Sequence, residues 1–265
     1  MRKELELVLL PKQAVDAEEI KTIVAKKAHC KVGDITHINH LRRSIDARSK
    51  QVKVLLKVEV FINEKPAQKS QKHSWNDVSK APQVIVVGAG PAGLFAALGL
   101  IERGLKPVIL ERGKMIEERK KDVAQLYRTH EVHPDSNYCY GEGGAGTYSD
   151  GKLYTRSSKR GNVRKILEIF VEHGADPDIL VDAHPHLGTN KLLGLVTSIR
   201  NTVLNAGGEI HFNTKVTDFM LHQQKMIGVI DQNGKEFRGE ATILASGHSA
   251  RDIYHLLNDK GILIE

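Results

Sequence analysis

The run Val84-Ile85-Val86-Val87-Gly88-Ala89-Gly90-Pro91-Ala92-Gly93 constrains this chain more than any other stretch. Consecutive β-branched residues make a short strand buried on both faces, as in a parallel sheet. Glycines follow in the spacing G-x-G-x-x-G, and a helix rich in Ala and Leu opens at Pro91. Gly88 allows the tight turn, Gly90 lets the backbone approach a pyrophosphate, and Gly93 lets the helix pack close to the strand. The free N–H groups and positive dipole end of that helix suit phosphate. The next strand, Val108-Ile109-Leu110, ends at Glu111, 18 residues after Gly93, where a carboxylate can accept ribose hydroxyls. Strand, glycines, helix, second strand and terminal acid agree on a dinucleotide site rather than a bare turn. Glu111 favours an unphosphorylated ribose, and Arg112 beside it keeps a 2′-phosphate as the lesser alternative. This fingerprint does not separate FAD from NAD.

The same region imitates a membrane span, because Val84 to Ile101 holds 18 residues without a charge. Its four glycines and Pro91 favour strand, turn and helix instead, and no membrane partner is expected. Two distant cysteines, Cys30 and Cys139, suggest a reduced, cytoplasmic setting.

Upstream, the pattern is different. Leu5, Leu7 and Leu9 alternate as a half-buried strand, Asp16 and Glu19 have capping-box spacing, and Ile20, Ile23 and Val24 form an apolar helical stripe. A strand is expected over Ile35–Arg43, and another where Val52, Val54, Leu56, Val58, Val60 and Ile62 share one face. Residues 1–62 therefore read as a small α+β (βαββ) domain, 63–82 as a polar linker containing Trp75, and 83–265 as an α/β domain. The formal net charge of +7 lies entirely in the first 82 residues, with 17 Lys+Arg against 10 Asp+Glu. That excess raises a nucleic-acid partner as an alternative. The bland reading is a solvated strand face at Lys53, Lys57 and Glu59. Aromatic stacking platforms are missing from it, since Phe61 is the only Phe before Phe95.

After Glu111, a charged helix is expected over Lys114–Arg128, and residues 129–158 read as a long loop rich in Gly, Tyr and Ser. Asn162 opens an amphipathic helix, Ile179–Val181 reads as a short strand, and Thr189 or Asn190 caps a helix running to Gly207-Gly208. Strands follow at Glu209–Phe212, Val216–Leu221, Ile227–Ile230 and Ala241–Ala245, with a hairpin turn at Asn233-Gly234. The fold expected is a Rossmann-like parallel sheet with an added β-meander.

A second glycine-rich loop, Gly141 to Leu153, and the strand-end turn Ala245-Ser246-Gly247 complete the pattern. With these pieces, the chain resembles the two-dinucleotide-binding-fold class of FAD proteins, and more closely a family of bacterial FAD-dependent dehydrogenases of undefined substrate. The matching segments are Val84–Leu100, Glu111-Arg112, Asn137–Arg156, Val181–His186, Ala241–Asp252 and, near the N-terminus, Leu41–Arg48. The resemblance implies that Gly88, Ala89, Gly90, Pro91, Ala92 and Gly93 hold the FAD pyrophosphate. It implies Glu111, with Arg112 beside it, at the adenosine ribose. It places Gly146, Thr147, Ser149, Asp150, Gly151 and Lys152 toward the flavin end, Val216 at adenine through its backbone, and Ala245, Ser246 and Gly247 near the FAD. Ser246 stands where the class usually has Thr. Members of the class also carry a later Gly-Asp segment. This chain stops at Ile264-Glu265, so it is expected to correspond to an N-terminal half.

The implied activity is an FAD-dependent oxidoreductase moving hydride or electrons between FAD and a small-molecule substrate. NADH or NADPH is the candidate electron donor. The alternatives are a nucleic-acid-associated flavoprotein and a non-catalytic nucleotide-binding fragment. No residue is singled out as catalytic. Glu142 and Lys152 balance evenly between acid–base groups and surface residues. Cys139 reads as a packing residue. His184 and His186 flank Pro185 without a third ligand nearby, so no metal is expected.

Overall fold

The computed structural model describes residues 1–66, 73–155 and 161–264. Part of the expected linker, Arg156 at the end of one matching segment, and Glu265 lie outside the described residues. In chain order the elements are β1 (Arg2–Leu9), α1 (Pro11–Ala14), α2 (Ala17–Ala28), β2 (Ile35–Asp46), β3 (Lys53–Ile62), β4 (Gln83–Val87), α3 (Pro91–Ile101), β5 (Lys106–Leu110), α4 (Ile116–Thr129), α5 (Val163–Glu172), α6 (Thr189–Asn205), β6 (Glu209–His211), β7 (Val216–His222), β8 (Lys225–Asp231), β9 (Glu236–Arg238), β10 (Ala241–Leu244) and α7 (Arg251–Asp259). They form two compact units, Met1–Lys72 with Lys152–Leu187, and His73–Gly151 with Gly188–Glu265. Residues 152–187, which the sequence reading assigns to the later domain, thus belong with the first unit.

The first unit contains an antiparallel sheet in the order β1-β3-β2. Pairing Leu7 with Leu56 and Leu5 with Val58 puts one apolar row on a single face. That face buries Leu7, Leu9, Leu56, Val58 and Val60 against Ile20 and Val24 of α2. The carboxylate of Asp16 caps α2 by accepting from the N–H groups of Glu18 and Glu19. The reciprocal half of the capping box is absent, because Glu19 accepts from Gln13 instead. Val52 falls outside β3 and is 40% exposed. The expected strand at Ile179–Val181 is a 3-10 turn over Pro177–Leu180, since Pro177 fixes its first φ and Asp176 caps the N–H of Asp178. Several basic residues here face acids: Lys57 meets Glu4 at 2.7 Å, Arg2 meets Glu59 at 3.1 Å, and Arg43 binds Asp178 and Asp182.

In the second unit a parallel sheet runs β10-β4-β5-β6, and β7-β8-β9 forms an antiparallel meander. The architecture is the expected α/β one. The uncharged stretch 84–101 is β4, a turn and α3, and no helix among the described residues is long and apolar enough to cross a membrane. Leu94, Ala97, Leu98 and Ile101 of α3 are buried. A second core joins Ile85, Val87, Val108 and Leu110 to Val216, Phe219 and Val229 of the meander and Ile253 of α7. Helix α6 is capped at Gly188 rather than at Thr189 or Asn190.

Candidate functional site

A cavity of about 410 Å³ lies in the second unit at the carboxyl ends of the parallel strands, lined by Val87, Leu110 and Leu244. Strand β4 lies between β5, which follows it through α3, and β10 on its other side. Ligands of open α/β sheets bind at such switch points.

Gly93 shows why the turn needs glycine. A Cβ there would stand 1.9 Å from the carbonyl oxygen of Gly88, so any side chain would push α3 off β4. Gly90 is different, since a Cβ built on it meets only Gly144 Cα, at 3.9 Å, and the position lines the cavity. The first-turn N–H groups of α3, at Ala92 and Gly93, have no acceptor within the helix. The second glycine loop packs on the first. Gly143 N–H donates to Ala89 O at 2.8 Å, and Gly144, at φ 59°, brings its Cα beside Gly90.

Glu111 directly follows β5 as a buried carboxylate. Its Oε2 accepts from Ala89 N–H at 2.7 Å, and its Oε1 accepts from Gly113 N–H at 2.8 Å and Gly141 N–H at 2.9 Å. One side chain thereby braces both glycine loops. A carboxylate offers about four acceptor positions, so about one remains on Oε2.

Arg112 is held differently. Its guanidinium donates to Asp135 at 2.7 Å and meets Asp252 at 3.0 Å, with its Cζ 4.2 Å from the Tyr140 ring centroid. Tyr140 in turn donates its hydroxyl to Ser249 O at 2.7 Å. Lys215 stands 3.4 Å from Asp252 and 3.8 Å from Asp135. Burial opposes the charge on Asp252, but Arg112 and Lys215 outweigh it and hold the carboxyl below its ordinary range.

Behind the cavity, Arg119 is completely buried and donates to the carbonyls of Asn137, Tyr138, Gly141 and Glu142. Burial lowers the pKa of this guanidinium. Glu142 is also fully buried, which corrects the reading of it as a surface residue. Its Oε2 accepts from Ile116 N–H at 2.9 Å and from Arg200 at 2.8 Å, while Oε1 is buried with no hydrogen-bond partner. Burial pushes its carboxyl above the ordinary range.

Two parts of the chain match known families. Residues 1–61 match a domain of unknown function (DUF8436).

Residues 81–135 match an FAD binding domain.

A protein of Clostridium beijerinckii described as uncharacterized is 34% identical over 266 residues, covering 94% of this chain and 50% of that protein. Thiamine thiazole synthase of Methanococcus maripaludis is 27% identical over 165 residues, covering 62% of this chain and 51% of its own. The chain therefore spans about half the length of these curated relatives. Among solved structures, THI4 of Thermovibrio ammonificans overlays with a TM-score of 0.46 at 19% identity, covering 70% of this chain and 65% of that one.

Within the FAD-binding-domain segment, Gly88, Gly90, Pro91, Ala92, Glu111 and Arg112 all line the cavity. Ala89 is buried and turns its N–H to Glu111, and Gly93 is buried under the turn. Farther along the chain, Gly146, Val216, Ala245, Ser246 and Gly247 also line it. Thr147, Ser149, Asp150 and Gly151 do not. Thr147 is buried with its hydroxyl on Glu142 O, and Lys152 falls in the other unit, where it bridges to His186. Cys139, expected to pack, is exposed and lines the cavity, because the Arg119 knot turns the backbone of residues 137–142 inward. Sequence reading passed over Tyr140, Lys215, His248 and Ser249, which also line it. Their proximity to the glycine segments and to the Ala245-Ser246-Gly247 turn was the available signal.

Proposed function

We propose that this chain is the FAD-binding part of an oxidoreductase that moves hydride or electrons between FAD and a small-molecule substrate. The observation that carries the reading is the side-chain-free Gly90 turn and the first residues of α3, Pro91 and Ala92, lining together a cavity of about 410 Å³. That volume falls within the usual range for ligand sites, about 300–1,000 Å³. The match of residues 81–135 to an FAD binding domain supports the choice of cofactor.

The residues present suit an adenine dinucleotide. Ala92 and Gly93 N–H groups bind the pyrophosphate, helped by the α3 dipole. The remaining acceptor position of Glu111 takes a ribose hydroxyl. Val216 borders the adenine, and the turn Ala245-Ser246-Gly247 borders the dinucleotide on the β10 side. Gly146 lies where the second loop meets the cavity, so Thr147, Ser149, Asp150 and Gly151 shape that loop rather than line the cavity. When bound, FAD supplies the two-electron chemistry, while the protein orients it. NADH or NADPH serves as electron donor, and the substrate is a small molecule.

The test is spectroscopic. Purified chain is loaded with FAD, freed of excess cofactor, and its visible spectrum followed anaerobically with NADH and then NADPH. Retained flavin that bleaches with either donor supports the reading. Retained flavin that neither donor reduces removes nicotinamide as the reductant, and absence of retained flavin counts against the FAD assignment itself.

A further inference from the structure

We propose that Tyr140 and Arg112 form a clasp that holds the turn between β10 and α7 against the cavity, and that the clasp opens whenever a dinucleotide enters or leaves. The proposal rests on the adenine-dinucleotide reading above and concerns how fast that site exchanges its occupant.

Residues 139–141 and residues 244–250, far apart in the chain, both line the cavity. The Tyr140 hydroxyl joins them by donating to Ser249 O at 2.7 Å. The same ring lies over Arg112, whose Cζ is 4.2 Å from its centroid. Arg112 in turn reaches Asp252, in the first turn of α7, at 3.0 Å, and Asp135, upstream of Tyr140, at 2.7 Å. Lys215 adds a contact to Asp252 at 3.4 Å. The side chains of Asp135, Asp252 and Lys215 are 35%, 39% and 34% exposed, so these bonds lie at the edge of the cavity and not under it.

The turn itself has room to move. It is anchored at one end by Ala245 N–H on Val87 O at 2.8 Å, and at the other by Ile253 of α7, buried with Val216 and Phe219. Between these anchors Gly247 and His248 are exposed. Gly247 sits at φ 75° with no atom within 4 Å of a Cβ built on it. A glycine in open space can take up the backbone rotation that a hinge needs. The bonds of Tyr140 and Arg112 are then what keep the turn closed.

The kinetic consequence is specific. A bond present in both the empty and the occupied closed forms opposes entry and exit equally. Removing it raises the open fraction of both forms by the same factor, so association and dissociation accelerate together and Kd stays put. A bond that only shapes the wall around the ligand would instead speed dissociation alone and weaken binding.

The experiment is stopped-flow flavin fluorescence with the whole chain and FAD, with dissociation followed by chasing with excess ADP-ribose. Tyr140→Phe removes the hydroxyl and keeps the ring over Arg112. Both rates should rise by about three- to tenfold, the size of one net hydrogen bond, while Kd moves by less than about twofold. Asp252→Asn loosens the clasp from the α7 side and should also speed dissociation, although the negative charge it removes would by itself slow the release of an anionic ligand. Circular dichroism confirms that each variant is folded, and each tests the clasp independently of the other. Rates of Tyr140→Phe equal to the parent's, or faster dissociation without faster association, overturn the clasp while leaving the dinucleotide site in place. Unchanged or slower dissociation in folded Asp252→Asn overturns the part given to Arg112. Failure of the parent to bind FAD overturns the dinucleotide reading, and the clasp with it.

Discussion

Glu111 Oε2 accepts the N–H of Ala89 at 2.7 Å, tying the end of the second parallel strand to the first glycine turn. Its other oxygen holds Gly113 and Gly141, so the acid expected at the ribose is also the brace between both loops. Glu111→Ala leaves three buried amides without an acceptor, at a cost of about 1–3 kcal/mol each. Chemical denaturation without any nucleotide should show a loss of several kcal/mol. Stability within about 0.5 kcal/mol of the parent would contradict the bracing role.

Gly93 and Gly90 should separate folding from binding. Gly93→Ala places a methyl 1.9 Å from Gly88 O, and the variant should be severely destabilised or fail to fold. Gly90→Ala has room and a negative φ of −72°, so its unfolding midpoint should stay close to the parent's. A stable Gly93→Ala protein would refute the close packing of α3 on β4.

Arg119 holds four backbone carbonyls between residues 137 and 142 from a fully buried position. Arg119→Met keeps the bulk and removes the donors. The expected cost exceeds about 3 kcal/mol, because hydrogen bonds from a charged group are worth about 1.5–3 kcal/mol each. Cys139 in that segment should also react faster with a thiol reagent. An unchanged midpoint and thiol rate would show that the loop is held elsewhere.

Glu142 gives a pH dependence. Burial raises its folded-state pKa, so between the unfolded and folded values the folded chain keeps a proton that the unfolded chain has lost. Its contribution is fully present below the unfolded pKa and declines as pH rises through the folded one. Glu142→Gln cannot ionise, so its stability relative to the parent should improve as pH rises from below the ordinary carboxylate range through the raised folded-state pKa of Glu142. Parallel pH profiles for the two proteins would exclude ionisation of Glu142 as their source.

The β4–turn–α3–β5 unit was legible because each step is local: a β-branched run, glycines at fixed spacing, an Ala- and Leu-rich helix, a second apolar run. The βαββ sheet was legible for the same reason, through alternation that matches the register of Leu7 with Leu56. What escaped depends on distant partners or a single local competitor. Glu142 is bonded by Arg200, 58 residues away, and Arg112 is clamped by Asp252, 140 residues away. No periodicity announces such pairs. At 177–180, one proline and one aspartate cap outweighed a short apolar run that suggested a strand. The boundary at residue 152 escaped because the later segment adds to β2 through Arg43 and Asp182, a contact separated by 139 residues.

The Gly90 turn is the proposed binding place of FAD. Flavin fluorescence during titration of FAD with the parent chain and with Gly90→Val, each checked for folding, tests it most directly. The parent should show a saturable change that ADP-ribose reverses, and a folded Gly90→Val variant should lose it. No saturable change with the parent, or equal affinity in the valine variant, would contradict it.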